Sequence, residues 1–429
     1  MTKKFFGVFH VLLLGVLLVT ACAPQAVNAQ VAESDKPRLE DPNVSSEDLD
    51  LLAQGNAAFA LDLYQVLRQQ GGNLFYSPYS ISTALAMTYA GAGGQTASQM
   101  AQALHFGLPP ERLHPAFNAL ALDLAARPGQ AGKDIKTPFE LSVANALWGQ
   151  KDYQFLPKFL DLLAQDYGAG IRLVNFSGDA EGSRQIINQW VSDQTKERIK
   201  DLLSPGTVDA MTRLVLTNAI YFKAGWLDQF DKEATKPATF HLLDGSTIEA
   251  QTMYLNKSMK YALLDNFRVL DLPYEGGGVS MLLVLPDEGQ YQAVEERLNE
   301  ALLTNILENW QSGDVELALP KFTFESEFTL NQALGGLGMT DAFSADQADF
   351  SGMTGNRDLY IGSVVHKAFV AVDETGTEAA AATAIVMRAM ALMPQEPVVF
   401  QFDRPFIFMI RDNQTGSLLF VGRVMDPTK

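Results

Sequence analysis

From Ser45 onward the apolar residues fall three and four apart. Leu49, Leu52, Phe59, Leu63 and Val66, with Asn56 among them, make one stripe of an amphipathic helix that Gly71-Gly72 ends. A short apolar strand follows in NLFYSPYS, where Ser-Pro opens a second helix over Ile81–Tyr89. GAGGQT breaks that helix, and helical spacing resumes between Thr96 and Leu124 with an interruption at Pro109-Pro110. Leu141–Gly149 is apolar and β-capable, whereas Arg184–Lys200 has helical spacing through Ile187, Trp190, Val191 and Ile199. Arg213–Lys223 is a long apolar run with no charge between its ends, which predicts a central strand buried on both faces. Asn218 lies in its middle and must find buried partners. Further strands are predicted at Val279–Leu285, Val315–Phe324 and Leu359–Val372, and a hairpin joins Phe406–Arg411 to Ser417–Val424 over DNQTG. Helices dominate early and strands late, so the fold class is α+β in one body, with no internal repeat and no linker after Ser46.

Composition narrows the function classes. The 429 residues carry a net charge of −18, which argues against nucleic-acid binding, since phosphate backbones need clustered Lys and Arg. The apolar fraction of 47% and charged fraction of 19% are those of a globular protein. One cysteine, Cys22, rules out an internal disulfide, and five scattered histidines show no i, i+4 pair of a zinc site, so no cofactor or metal is expected. Residues 1–21 read as an export signal, with Lys3 and Lys4 ahead of the apolar run Phe5–Val19. Val19-Thr20-Ala21-Cys22 resembles a bacterial lipobox, which would make Cys22 a lipid-attachment site and the protein an exported lipoprotein held at a membrane. Residues 22–46, polar and rich in Pro, Gln and Ala, read as a flexible tether ahead of a single domain over 47–429.

Catalytic motifs are missing: G-x-S-x-G, H-E-x-x-H, a Walker loop and G-x-G-x-x-G do not occur, so an enzyme is not expected. The stretch that stands out is DETGTEAAAATAIVMRAM, Asp373–Met390, between two strand-like runs. With period two, one face carries Thr377, Ala379, Ala381, Thr383, Ile385 and Met387, small at its start and without charge, while Glu378 and Arg388 lie on the other. Such a segment can be an exposed loop that also fits a sheet as a strand, and an Ala-rich surface helix is the other reading of the same pattern.

The segment Glu374-Thr375-Gly376-Thr377-Glu378 with four alanines and Thr383 resembles the reactive-loop hinge of inhibitory serpins. The likeness extends through NLFYSPYSISTALAMTYAGAGGQT, LSVANALWGQ, RLVLTNAIYFKAGW, LALPKFTFESEF and FDRPFIFMIRDNQTGSLLFVGRV in serpin order, from about Ser46 to Pro427. It implies three β-sheets, eight or nine helices, a reactive loop over about 374–398, and a monomer that acts as a suicide substrate of serine proteases. Gly376, Thr377, Glu378, Ala379, Ala380, Ala381, Ala382 and Thr383 match the hinge, and counting without a gap puts the reactive bond at Met390-Ala391. Glu374, Lys321 and Trp226 match the mouth where the loop enters the sheet, and Ser77, Ser80, Asn218 and His366 the polar cluster beneath its centre. Methionine before the bond implies elastase- or chymotrypsin-like partners. Registers shifted to Leu392 or Arg388 would keep the chymotrypsin-like reading or turn it to trypsin- or subtilisin-like proteases. Cysteine proteases and a non-inhibitory binding or chaperone role are the other implications.

Overall fold

The uncharged run around Asn218 forms the axis of the molecule. In the structure, a computed structural model that describes residues 29–130, 139–377 and 396–429, it is the strand Leu214–Gly225, buried along nearly its whole length. Glu140–Gln150 pairs with it antiparallel on one side, and Ser363–Val372 pairs with it parallel on the other, from Ser363 opposite Val215 to Ala368 opposite Ile220. Ile171–Val174 and Phe322–Thr329 extend this sheet outward, and Gln30–Ala32 at one edge and two-residue Gly376–Thr377 bring it to seven strands. One face is covered by the helix Ala180–Gln194, whose Ile187 and Val191 pack on Trp148, Val215 and Ala219. Two helices, Ser46–Leu67 and Pro78–Tyr89, and the second sheet cover the other. Burial from both sides is why the run carries no charge.

The second sheet has nine strands among the described residues. The three sheets of the family plan are joined into two hydrogen-bonded networks here, because one 18-residue strand, Thr247–Leu264, pairs with Gln311–Pro320 and also, from Lys260 on, with Phe267–Pro273. Ten α-helical segments occur among the described residues, four of them six residues or shorter, so a count of eight or nine depends on how single turns are treated.

Three local expectations change. Val315–Phe324, predicted as one strand, is two strands in different sheets, Gln311–Pro320 and Phe322–Thr329, with Lys321 at the crossing. The apolar phase slips there: Val315, Leu317 and Leu319 point inward on one side of Lys321, Phe322 and Phe324 on the other. The helix expected over Arg184–Lys200 stops at Gln194, after which Lys196 and Glu197 have positive φ. The tether expected over 22–46 is, in its described part, a fixed strap. Gln30–Ala32 pairs antiparallel with Ile171–Leu173, and the chain then runs across two helices to Ser45, which caps the first long helix. An open sheet edge supplied the backbone partners that low apolar content did not promise.

Candidate functional site

The two central strands are hydrogen-bonded to each other over only half their length. Above Ala368 and Ile220 they part, and Gly376–Thr377 occupies the gap: Thr377 is the Cα partner of Val372 on one side and of Ala224 on the other, and Gly376 that of Gly225. The approach is close. A Cβ at position 376 would lie 2.1 Å from the Ala224 carbonyl oxygen, so only glycine fits. Thr377 is buried, and its hydroxyl shares a 2.7 Å hydrogen bond with the Tyr274 hydroxyl.

The turn that delivers these residues is built from side chains. Asp373 Oδ1 accepts from the Thr375 amide at 2.8 Å, the Thr375 hydroxyl at 2.6 Å and the Gly376 amide at 3.2 Å. Trp226 covers it. The indole donates to the Asp373 carbonyl at 2.9 Å, the Trp226 amide donates to the Thr375 carbonyl at 2.9 Å, and the ring stacks on Tyr274 at 4.5 Å. Lys321 Nζ lies 2.9 and 3.1 Å from the two carboxylate oxygens of Glu374, and the Thr235 hydroxyl donates to the same carboxylate at 2.8 Å. Burial opposes ionisation of Glu374, but Lys321 and Thr235 outweigh it and hold the carboxyl below its ordinary value.

Below the mouth, a second polar group ties the sheet shut. Asn145, Asn218 and His366 are Cα partners in one row across three strands. The Ser77 amide donates to His366 Nε2 at 3.1 Å, so that nitrogen is unprotonated and Nδ1–H donates to Asn218 Oδ1. Asn218 Nδ2 donates to the Ser80 hydroxyl at 2.7 Å and to Asn145 Oδ1, and Asn145 Nδ2 donates to the Ser80 carbonyl at 3.0 Å. The Ser77 hydroxyl caps the helix Pro78–Tyr89, accepting from Ser80, and donates to the Leu419 carbonyl at 2.7 Å. Burial pushes His366 down to about 3, so it is neutral at physiological pH and serves as a hydrogen-bonding group.

The structure thus brings Gly376, Thr377, Glu374, Lys321 and Trp226 together at the mouth, and Ser77, Ser80, Asn218 and His366 together at the centre. Cys22, Glu378 to Thr383, Arg388, Met390, Ala391 and Leu392 lie outside the described residues. Four participants escaped the sequence reading: Asn145, Thr235, Tyr274 and Asp373. Asn145 had a signal, an amide inside the apolar run LSVANALWG, the same anomaly that marked Asn218. Thr235 and Tyr274 reach the mouth from distant segments and carried none. The cleft of about 660 Å³ between His241, Asp287 and Arg404 lies on the second sheet, apart from both groups.

The main sheet is thus closed at its centre by the polar cluster and parted at one end by Gly376–Thr377. The chain belongs to the serpin family: the family model, described as serpin (serine protease inhibitor), matches residues 54–427. Human leukocyte elastase inhibitor is 42% identical over 390 residues, covering 88% of this chain and 100% of the relative. A serpin-like protein of Thermococcus kodakarensis is 40% identical over 433 residues, covering 97% of this chain and 98% of its own. Among solved structures, uncleaved ovalbumin superposes with a TM-score of 0.78 at 28% identity, covering 88% of this chain and 100% of that one. Human thyroxine-binding globulin bound to thyroxine gives 0.78 at 31% identity, covering 89% and 100%. Serpins are inhibitors of proteases rather than catalysts, and the elastase inhibitors among this chain's relatives support that class of activity here.

Proposed function

We propose that this chain inhibits serine proteases as a suicide substrate. The protease serine attacks the carbonyl of Met390, the peptide bond to Ala391 breaks, and Met390 is left as an acyl ester on the enzyme. The freed segment from Glu378 onward then continues the strand that Gly376–Thr377 begins, the established β-augmentation mode of serpin loops. The acylated protease is dragged along, and its distorted oxyanion hole no longer supports hydrolysis. The observation that carries this reading is the pairing of Thr377 with both central strands, and of Gly376 with Gly225, where those strands part.

The energetics agree in size. Insertion exchanges the short parallel ladder between Ser363–Ala368 and Val215–Ile220 for two antiparallel ones. About a dozen added hydrogen bonds at roughly 1 kcal/mol each supply on the order of 10 kcal/mol, the scale of a whole domain's stability. The small hinge residues Thr377 and Ala379 to Ala382 fit such a buried strand, which favours inhibition over a non-inhibitory binding role.

Methionine before the bond, together with 42% identity to a leukocyte elastase inhibitor, supports elastase- and chymotrypsin-like proteases as the targets. A lipid on Cys22 would hold the inhibitor at a membrane facing external proteases. The test is to mix the chain from Ala23 onward with elastase, chymotrypsin, trypsin and subtilisin, denature in SDS, and locate the cut by mass spectrometry. A boiling-resistant band at the summed mass with cleavage after Met390 is expected. Cleavage after Arg388 or Leu392 would move the register, and cut chain with fully active protease would overturn trapping.

A further inference from the structure

The strap at residues 30–39 precedes the segment matched by the family model, yet it is seated in a site shaped for it. Gln30–Ala32 adds a strand to the outer edge of the central sheet, opposite Ile171–Leu173. A Cβ at Gly170 would meet the Ala32 carbonyl oxygen at 2.7 Å and the Glu33 and Val31 side chains at 2.9 Å, so the three atoms nearest to it all belong to the strap. Past the strand, the Ser34 hydroxyl donates to Asp161 at 2.6 Å. Farther on, Arg38 Nε donates to Asn118 Oδ1 at 2.8 Å, and Asn118 Nδ2 donates back to the Leu39 carbonyl at 2.7 Å. Asn118 is fully buried on the helix Pro110–Gln130, and both ends of its amide are committed to the strap. An amide buried there without the strap would lose its short partners.

The strap's two ends rest on parts of the molecule that sheet opening must move relative to one another. The edge strand Ile171–Val174 belongs, through Glu140–Gln150, to the half of the sheet that parts from Ser363–Val372. The helix bearing Asn118 touches the segment before Ile171 through His114 and Tyr167, but it is also anchored outside that half: Arg112 pairs with Asp48 of the first long helix, and buried Arg127 pairs at 3.0 Å with Asp412 in the second sheet. Admitting a strand widens the sheet by about 4.8 Å, and the strap lies across that displacement.

We propose that the flank formed by Ile171–Leu173, Gly170 and Asn118 is a binding site for an extended peptide with an arginine six residues beyond the strand, that residues 30–39 are its ligand in cis, and that their binding holds the sheet in its unexpanded state. The holding role rests on the loop-insertion reading above, whereas the binding site does not. The test uses the chain from Ala23 onward as wild type, Gly170→Ala, which adds only the clashing methyl, and Arg38→Ala, which changes a strap residue and removes its hydrogen bond to Asn118. Hydrogen exchange at Gln30–Ala32 reads the site. Conversion on warming to a denaturant-resistant monomer reads the sheet without calling on any protease. The wild type should protect the strap amides, both variants should release them, and conversion should speed up about tenfold, as loss of one or two net hydrogen bonds gives. Strap amides that exchange in the wild type as in a free peptide would overturn the site. Release without faster conversion, or with conversion to oligomers instead, would overturn the holding role, even where the wild type traps proteases normally. Failure to trap any protease, with strap protection intact, would count against loop insertion and leave the site standing.

Discussion

His366 and Asn218 face each other across the parallel pair of strands that the proposed loop insertion separates, and His366 Nδ1–H donates to Asn218 Oδ1 across that seam. The imidazole is neutral because burial lowers it to about 3, while an unfolded histidine titrates near 6.5. Below pH 6.5 the unfolded chain therefore binds a proton that the native one refuses, and stability falls as pH drops from about 6.5 toward 3. His114, lowered to about 4 by burial, acts with the same sign. Between pH 6.5 and 5, above the range of ordinary carboxylates, the denaturation midpoint should fall with pH, and His366→Gln should remove about half of that slope. An unchanged slope in the variant would mean that His366 is protonated in the native state.

Asn218→Ala should weaken the seam directly. It leaves Asn145 Oδ1, the Ser80 hydroxyl and the His366 Nδ1–H each short of one partner in a buried site. One unpaired buried polar group costs about 1–3 kcal/mol. Conversion on warming to a denaturant-resistant form should speed up markedly, while secondary structure by circular dichroism stays the same. Slower conversion would contradict a seam that holds the sheet closed.

Thr377→Arg should uncouple cleavage from trapping. The threonine side chain is buried against Tyr274, and neither Tyr274 nor the neighbouring strand backbones offer a counter-charge. The guanidinium is better solvated outside, so the first rung is expelled and the following strand has nowhere to start. The loop should still be cut at the wild-type rate, with the SDS-resistant band lost. A full yield of complex would show that insertion does not begin at this residue.

How much of this was legible depends on where each residue's partners come from. Leu214–Gly225 announced itself because a strand covered on both faces carries its burial in its own composition. Asn218 and His366 were visible as polar residues in apolar runs, and Asn145 was equally visible but overlooked. The break at Lys321 was written as a slip in apolar phase from 315, 317, 319 to 322, 324, a weak mark beside the continuous strand-like composition. Tyr274 meets Thr377 across 103 residues, and the strap meets an edge that exists only once Ile171–Val174 has joined the sheet. Such partners are assembled by topology, and no local pattern encodes them.

The ion pair at the mouth should respond unequally to loss of its two members. Glu374 has 5% of its side chain exposed and Lys321 37%, so the carboxylate depends on its partner while the ammonium can turn to water. Lys321→Ala leaves the carboxylate with only the Thr235 hydroxyl and should cost about 1–3 kcal/mol. Glu374→Gln retains the shape and the Thr235 contact and should cost about 1 kcal/mol or less. The wild-type contribution of Glu374 is present above its unfolded value near 4.5 and is lost as pH falls through the lower folded one, so acid should erase the difference between wild type and Glu374→Gln. Denaturation midpoints at pH 7 for the two single variants and the double variant settle the order. If the carboxylate is the dependent partner, Lys321→Ala/Glu374→Gln is more stable than Lys321→Ala alone; a double variant that is less stable would place the dependence on the lysine.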